Sequence, residues 1–289
     1  MILVIGGRSK IGSALLGELV AKRVAVRALI RSGEGAGSFP SGVEAATGDL
    51  ADLDSLRTAV AGVDRMFLLC GPTEDEVKLN RNAIDVAKEA GLSLLVRSSI
   101  LGSDSRSKAT FVRDHGVCDD YLRQSSLPHA IVRPNLFMQN VPESTIPSID
   151  ASGTFYVNAG DACISMVDTR DVAAVAATVL TEPGHAGNGY DVTGPKAFSY
   201  SEVAAALSKA MNRKITYVDV PDDAVSNALS GFGFPAWLVG ALVNLYEDYR
   251  RSGNDGYAAQ VTDTVKRITG HAGRTLDALL AEHAAPPSV

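Results

Sequence analysis

The first dozen residues, Met1-Ile-Leu-Val-Ile-Gly-Gly-Arg-Ser-Lys-Ile-Gly12, limit the folds open to this chain more than any other stretch. Met1 to Ile5 is an unbroken apolar, largely β-branched run, the pattern of a strand buried on both faces. Gly6 and Gly7 end it. A helical period then begins at Gly12, with Ile11, Leu15, Leu16, Leu19 and Val20 on one side. Buried strand, glycine turn and helix in that order belong to a parallel α/β sheet. The same order presents a helix N-terminus, with its unpaired N–H groups and positive dipole end, to a pyrophosphate. Gly6 permits the tight turn and Gly12 the close packing of helix on strand. The competing reading is a glycine-rich turn that binds nothing.

The unit repeats. Val24 to Ile30 reads as a second strand, ending at Arg31-Ser32-Gly33. In dinucleotide-binding sheets the residue at this strand end meets the adenosine ribose. Arg31 in place of an acid suits a 2′-phosphate, so the expected cofactor is NADP(H) in preference to NAD(H). Arg8 and Lys10 add positive charge to the same pocket, although Arg31 also fits an ordinary surface arginine. A flexible stretch, Gly33 to Ser41, precedes a third strand from Val43 to Ala46. Asp49 and Leu50 follow it, placed to touch adenine. Asp54 to Ala61 is a helix capped by Asp52 or Asp54. Val63 to Leu69 is the fourth strand. Leu69, Cys70, Gly71 and Pro72 pass near the nicotinamide ribose or the pyrophosphate. Asp75 to Ala90 is a helix stopped by Gly91, and Leu92 to Ser98 is the fifth strand, closed by Ser98 and Ser99. Lys108 to Ser125 is helical, with His115 and Asp119 on one face. Leu127 to Pro134 is the sixth strand, leading into Asn135.

The glycine spacing is similar to the G-x-x-G-x-x-G of short-chain dehydrogenase/reductases, with Ser9 in the middle position. His115 and Asp119 match a helix carrying histidine and, four residues on, glutamate. Val132-Arg-Pro-Asn135, Ser165 to His185, Gly189 to Gly194 and Phe198 to Val203 continue the match. On these motifs the chain resembles the atypical NmrA-like group over residues 1 to about 220. Within it, the chain looks most like the triphenylmethane reductases and type 2 NAD(P)H:quinone oxidoreductases. Arg8, Ser9 and Asp119 depart from the pattern. The resemblance implies an α/β fold: a Rossmann-like, doubly wound parallel sheet with a small, mostly helical C-terminal substrate lobe. Residues 1–140 would form the NAD(P)-binding core. Residues 141–289 would form the lobe, interleaved with core elements returning at about 155–195.

Hydride transfer asks a protein chiefly to hold a nicotinamide against an electrophilic carbon. Many short-chain reductases add a Tyr-x-x-x-Lys pair, and no tyrosine here has lysine four residues on. Quinones and cationic dyes, the acceptors of the resembled group, need no strong protein acid. His115, with an ordinary pKa of ~6.5, is then either a proton-handling group or a structural histidine. Ser98, Ser99 and Asn135 either bind substrate or the nicotinamide carboxamide, or close strand ends; Pro134 joins them as a cofactor contact. Ile100, Phe137, Phe232 and Trp237 are the candidate substrate contacts.

The last third reads as the lobe. Residues 141–165 would cover the site. Ser199 and Glu202 form a capping-box pattern, and Lys214 to Val220 a short strand. Pro221 to Ala228, Pro235 to Arg251 and Asp255 to Thr269 read as helices, and the tail from Ala284 as loose. Phe232, Phe234, Trp237, Leu242, Leu245, Tyr246 and Tyr249 supply apolar surface, as core or as substrate wall.

A formal net charge of −6 without a basic block argues against nucleic acid as partner. Cys70, Cys118 and Cys163 lack C-x-x-C or metal-ligand spacing. No run is long enough to span a bilayer, and no signal peptide precedes the first strand. The expectation is a cytoplasmic monomer or homodimer without metal, acting on a small molecule. Three readings stand: an NADPH-dependent reductase of a conjugated acceptor (quinone, dye or enone), a non-catalytic NADP(H)-sensing regulator, and a narrow-substrate tailoring reductase.

Overall fold

The computed structural model of the chain describes residues 1–31 and 39–284. Ser32, Gly33, most of the stretch expected to be flexible and the tail after Ala284 lie outside the described residues. A seven-stranded parallel sheet is the centre of the molecule. In chain order its elements are β1 (Ile2–Ile5), α1 (Lys10–Ala21), β2 (Val26–Ile30), β3 (Val43–Thr47), α2 (Leu53–Val60), β4 (Arg65–Leu68), α3 (Glu76–Glu89), β5 (Leu94–Ser98), α4 (Thr110–Gln124) and β6 (His129–Pro134). A π-helical turn, Val141–Thr145, leads into α5 (Ile146–Ser148) and β7 (Thr154–Val157). The chain then returns with α6 (Thr169–Thr181) and β8 (Gly189–Val192). The strand order β3-β2-β1-β4-β5-β6-β8 reverses direction between β1 and β4. At such a reversal the connecting loops splay apart, leaving a crevice beyond the strand ends.

The central strands carry side chains buried on both faces, as their continuous apolar runs require. Leu3, Val4, Phe67, Leu68, Leu95 and Val96 are wholly inaccessible. One face packs on α1 and α6, the other on α2, α3 and α4. After its first turn, helix α6 is buried without a break from Val172 to Leu180. Its alanines at 173, 174, 176 and 177 let it lie close against α1.

The remaining elements are α7 (Tyr200–Ala210), β9 (Thr216–Asp219), α8 (Asp222–Gly231), α9 (Ala236–Ser252), a 3-10 turn (Tyr257–Ala259), α10 (Thr264–Thr269) and α11 (Leu276–Ala284). Strand β9 pairs in parallel with β7 as a separate two-stranded sheet. Phe155, Tyr200, Tyr246, Tyr249 and the leucines of α11 form a second core beneath it. The capping box at Ser199 and Glu202 is present in both directions. Between Asp255 and Thr269 the expected helix breaks. Only the 3-10 turn and α10 are helical, because Ser165 and Asn135 draw the Ala258 carbonyl into the core. The buried Asp171 accepts from the Arg274 backbone N–H at 2.6 Å and pairs with its guanidinium, fastening the segment before α11 to the first turn of α6.

Candidate functional site

Beyond the ends of β1, β2 and β4 lies a cavity of about 460 Å³. It gathers Gly6, Gly7, Arg8 and Ser9 from the first turn, Arg31 from the second, Asp49 and Leu50 from the third, and Leu69, Cys70, Gly71 and Pro72 from the fourth. The glycines make the floor possible. Gly6 has φ +81°, and a Cβ there would stand 2.6 Å from the Leu69 carbonyl oxygen. A Cβ on Gly12 would stand 2.1 Å from the Gly6 carbonyl oxygen, so only glycine lets α1 begin against the turn.

Helix α1 starts at Lys10, two residues before the period at Gly12 suggests, because Ser9 caps it. The Ser9 hydroxyl oxygen accepts from the Gly12 N–H at 3.0 Å. Its own proton is left to donate. The Lys10 and Ile11 amides sit in the first turn, where no preceding carbonyl can receive them. Lys10 itself pairs with Glu143, Ile11 is buried core, and Gly12 lies beneath the turn, so these three build the cavity without lining it. Burial pushes the Cys70 thiol up to about 12, which keeps it protonated and unreactive.

A second cavity, about 360 Å³, shares Thr73 with the first. It lies between the first turns of α3, α4 and α9, and Phe111 and Trp237 give it aromatic walls. Glu74, Glu76, Arg113 and Asp114 supply its charged groups, Arg113 donating to Asp114 at 3.0 Å. A wider opening of about 540 Å³ lies elsewhere, and none of its lining residues belongs to the glycine turn. Its Arg133 pairs with Asp191 and its Arg106 with Asp104.

Behind the second cavity is a buried polar centre that sequence reasoning missed. Arg97, in the middle of β5, is wholly inaccessible. Its guanidinium pairs with the buried Asp119, donates to Asn80 Oδ1 at 3.0 Å, and donates to His115 Nδ1 at 2.9 Å. Nδ1 therefore accepts, and the imidazole proton sits on Nε2. Ser99 and Ser103 each donate to Asp119 Oδ2 at 2.8 Å. His115 and Asp119 do share a helix face, but Arg97 holds the histidine. Burial, then the Arg97 charge, depress the His115 pKa well below its ordinary value. The ring is thus neutral at physiological pH and a poor proton source. The available signal was an arginine inside the apolar run Leu94-Leu-Val-Arg-Ser98, since a buried guanidinium demands a carboxylate.

Several candidate contacts are placed differently from the expectation. Asn135 is spent on the protein: its amide donates to Ser165 Oγ and the Ala258 carbonyl, and its oxygen accepts from the Leu136 N–H. It is a clasp between β6 and the C-terminal segment and has no group left for a ligand. Ser99 is held by Asp119, and Ser98 and Pro134 are buried outside both cavities. Phe137 packs on the sheet core, and half-buried Ile100 lines neither cavity. Phe232 is 81% exposed, so it is neither core nor cavity wall. It follows α8, whose residues include none that is buried. Among the described residues no group of histidine, cysteine and acidic side chains has metal-binding geometry, and no helix is long and apolar enough to cross a membrane.

The sequence profile of the NmrA-like family matches residues 1–275. The chain is 36% identical over 286 residues to an NAD(P)H azoreductase of Xenophilus azovorans, covering 99% of this chain and 98% of that one. It is 34% identical over 286 residues to a (4-alkanoyl-5-oxo-2,5-dihydrofuran-3-yl)methyl phosphate reductase of Streptomyces griseus subsp. griseus, covering 98% of each. Among solved structures, the NADPH complex of quinone oxidoreductase QOR2 from Escherichia coli superposes with a TM-score of 0.88 at 25% identity, over 98% of this chain and 99% of that one.

Proposed function

Since the chain belongs to the NmrA-like family, we propose that it is an NADPH-dependent reductase delivering hydride to a small conjugated acceptor. The observation that carries this is the crevice at the sheet reversal, where the glycine turn and three further strand ends enclose one cavity that meets an aromatic-walled one at Thr73. The residues fit a dinucleotide: a Cβ on Gly6 or Gly12 would strike backbone and part the turn from α1, whose unpaired first-turn N–H groups are the donors an anion needs. Gly7, Arg8, Ser9 and the α1 amides hold the pyrophosphate. Arg31 takes the 2′-phosphate, and Asp49 with Leu50 bounds the adenine. The Leu69-to-Pro72 turn positions the nicotinamide ribose. A bound nicotinamide supplies hydride. The protein's part is to align the acceptor in the cavity of Phe111 and Trp237, and to exclude water from it. In this reading residues 1–140, with returning elements of 155–195, grip the cofactor, and the remainder shapes the acceptor site.

The relatives' reactions support a reductase. The similarity to a reductase of one defined metabolite also favours a narrow-substrate tailoring role as the second reading. An NADPH-oxidation screen over quinones, azo and cationic dyes, imines and enones is the test. Broad turnover supports the first reading, and a single productive class the second. Tight NADPH binding by calorimetry with no turnover of any acceptor would leave the sensing regulator instead.

A further inference from the structure

Glu76 opens α3 and is the deepest acid at the acceptor cavity: it borders the cavity and is only 3% exposed. Its Oε1 has no hydrogen-bond partner. That oxygen lies 3.3 Å from His115 Nδ1 and 3.8 Å from the Arg97 guanidinium. Nδ1 already accepts from Arg97, so an ionised Glu76 would set two bare acceptors against each other in a dry site. Arg97 has its charge balanced by Asp119, which it meets directly. Asn80 accepts from Arg97 and donates to the Glu76 backbone carbonyl, and makes no hydrogen bond to Oε1.

We infer that Glu76 carries the proton that completes reduction of neutral acceptors in this cavity, the role that His115 would have filled on the sequence alone. The assignment rests on the reductase reading. Hydride from the reduced nicotinamide adds to one end of a C=O, C=N, N=N or conjugated π bond. The π pair moves to the far heteroatom, which takes the proton from the Glu76 O–H. The carboxylate left behind is re-protonated from water, so the sum is one hydride and one proton per acceptor.

The surroundings hold that proton in place. Burial pushes the Glu76 carboxyl up to about 7 against the pull of Arg97 on β5, with Asp114 and Asp119 on α4 adding to the rise. Cys70 beyond β4 and Cys118 on α4 also face it, both with thiols raised by burial. Residues of α9 at the cavity are uncharged: Ala236, Trp237, Gly240, Ala241 and Asn244. An acid poised near the working pH is efficient as a proton donor.

The first test needs no cofactor. Infrared titration of the free protein should show a protonated-carboxyl C=O band that disappears near neutral pH and is missing from Glu76→Gln. In turnover with NADPH and a neutral quinone or azo acceptor, the rate should fall as pH rises through the same value. Glu76→Gln should lose ~10²–10⁴-fold and that limb. A cationic acceptor, neutralised by hydride alone, should suffer at least tenfold less. A missing carboxyl band, or a Glu76→Gln rate and pH profile matching the parent, overturns the assignment. Should that variant not fold, the infrared and kinetic midpoints of the unmodified protein decide, and a separation of more than one pH unit overturns it. Absence of NADPH oxidation in the unmodified protein removes the reductase reading itself, while the carboxyl titration would still be seen.

Discussion

Replacing Gly12 by alanine should disable the proposed cofactor site, while the same change at Gly17, further along the helix, should instead stabilise the fold. The alanine Cβ would stand 2.1 Å from the Gly6 carbonyl oxygen and 2.8 Å from both the Gly6 carbonyl carbon and Gly7 Cα. All three are backbone atoms, so no rotamer change relieves the contact. Ordinary contact begins near 3.4 Å, so helix and turn must part by more than about 1 Å. Overpacking of this kind costs ~1–3 kcal/mol. The same shift drags the first-turn amides and the Ser9 cap out of line with the pyrophosphate. Charge-assisted hydrogen bonds contribute ~1.5–3 kcal/mol each, and every 1.4 kcal/mol is tenfold in affinity. Losing one raises the NADPH dissociation constant ~10–10²-fold, and losing two ~10²–10⁴-fold. Gly17 lies in the same helix, and a Cβ there meets nothing within 4 Å. Gly17→Ala should therefore stabilise the protein by ~0.5–1 kcal/mol through helix propensity. Calorimetric titration with NADPH and urea denaturation read both effects. If Gly12→Ala binds NADPH within threefold of the parent, the pyrophosphate is not at this turn and the reasoning fails.

Other outcomes follow from single contacts. Arg31→Ala should weaken NADPH by ~10–100-fold, the worth of a charged hydrogen bond, and leave NADH nearly unchanged. Equal affinities for both in the unmodified protein would refute the 2′-phosphate assignment. His115→Ala should lower turnover only a few-fold, because its pKa lies well below the ordinary value and the neutral ring gives no proton above that point. A loss of ~10²-fold or more with an acidic limb near pH 6.5 would make it the acid after all. Asp171→Asn should cost ~1.5–3 kcal/mol by urea denaturation, less than a fully buried pair because Arg274 is 37% exposed. An unchanged midpoint would show that the clasp on α11 contributes nothing.

The crevice proposed for the cofactor was legible as a crevice because everything it is built from is local. A glycine turn, a strand-end arginine and a Gly-Asp-Leu corner are each written within a few residues, and parallel order alone brings strand ends to one edge. Strand starts were read early by a residue or two, as at Val24 and Val63, since apolar periodicity continues past the last ladder hydrogen bond. The acceptor side was hard to read for the opposite reason. Glu76, Arg97 and His115 sit on three elements, and only the tertiary fold makes them one site. Phe232 looked apolar enough to be buried, yet residue type says nothing of the turn that carries it outward. Helix α11 went unread because Leu276, Leu279 and Leu280 give only a short stripe, although Thr275 caps it, its hydroxyl accepting from the Ala278 N–H at 3.2 Å. Asn135 was read as a ligand contact because its partner, the Ala258 carbonyl, lies 123 residues away.

The sheet is finished out of order. β8 pairs with β6, and α6 covers α1, yet both arrive after the excursion through β7. As the chain leaves the ribosome, its glycine turn and first six strands exist long before their covering does. Until residue 192 emerges, the β6 edge is unpaired and the Leu15, Leu16 and Leu19 face of α1 lacks its lid. The half proposed to grip the cofactor is therefore not a module that can be cut out. A chain ended at Asn140 should be recovered as aggregate and show no NADPH-dependent protection from proteolysis. Adding residues up to 195 should lessen that aggregation by pairing the β6 edge, while β7 still waits for β9, so synthesis becomes safe from its own edges in two steps.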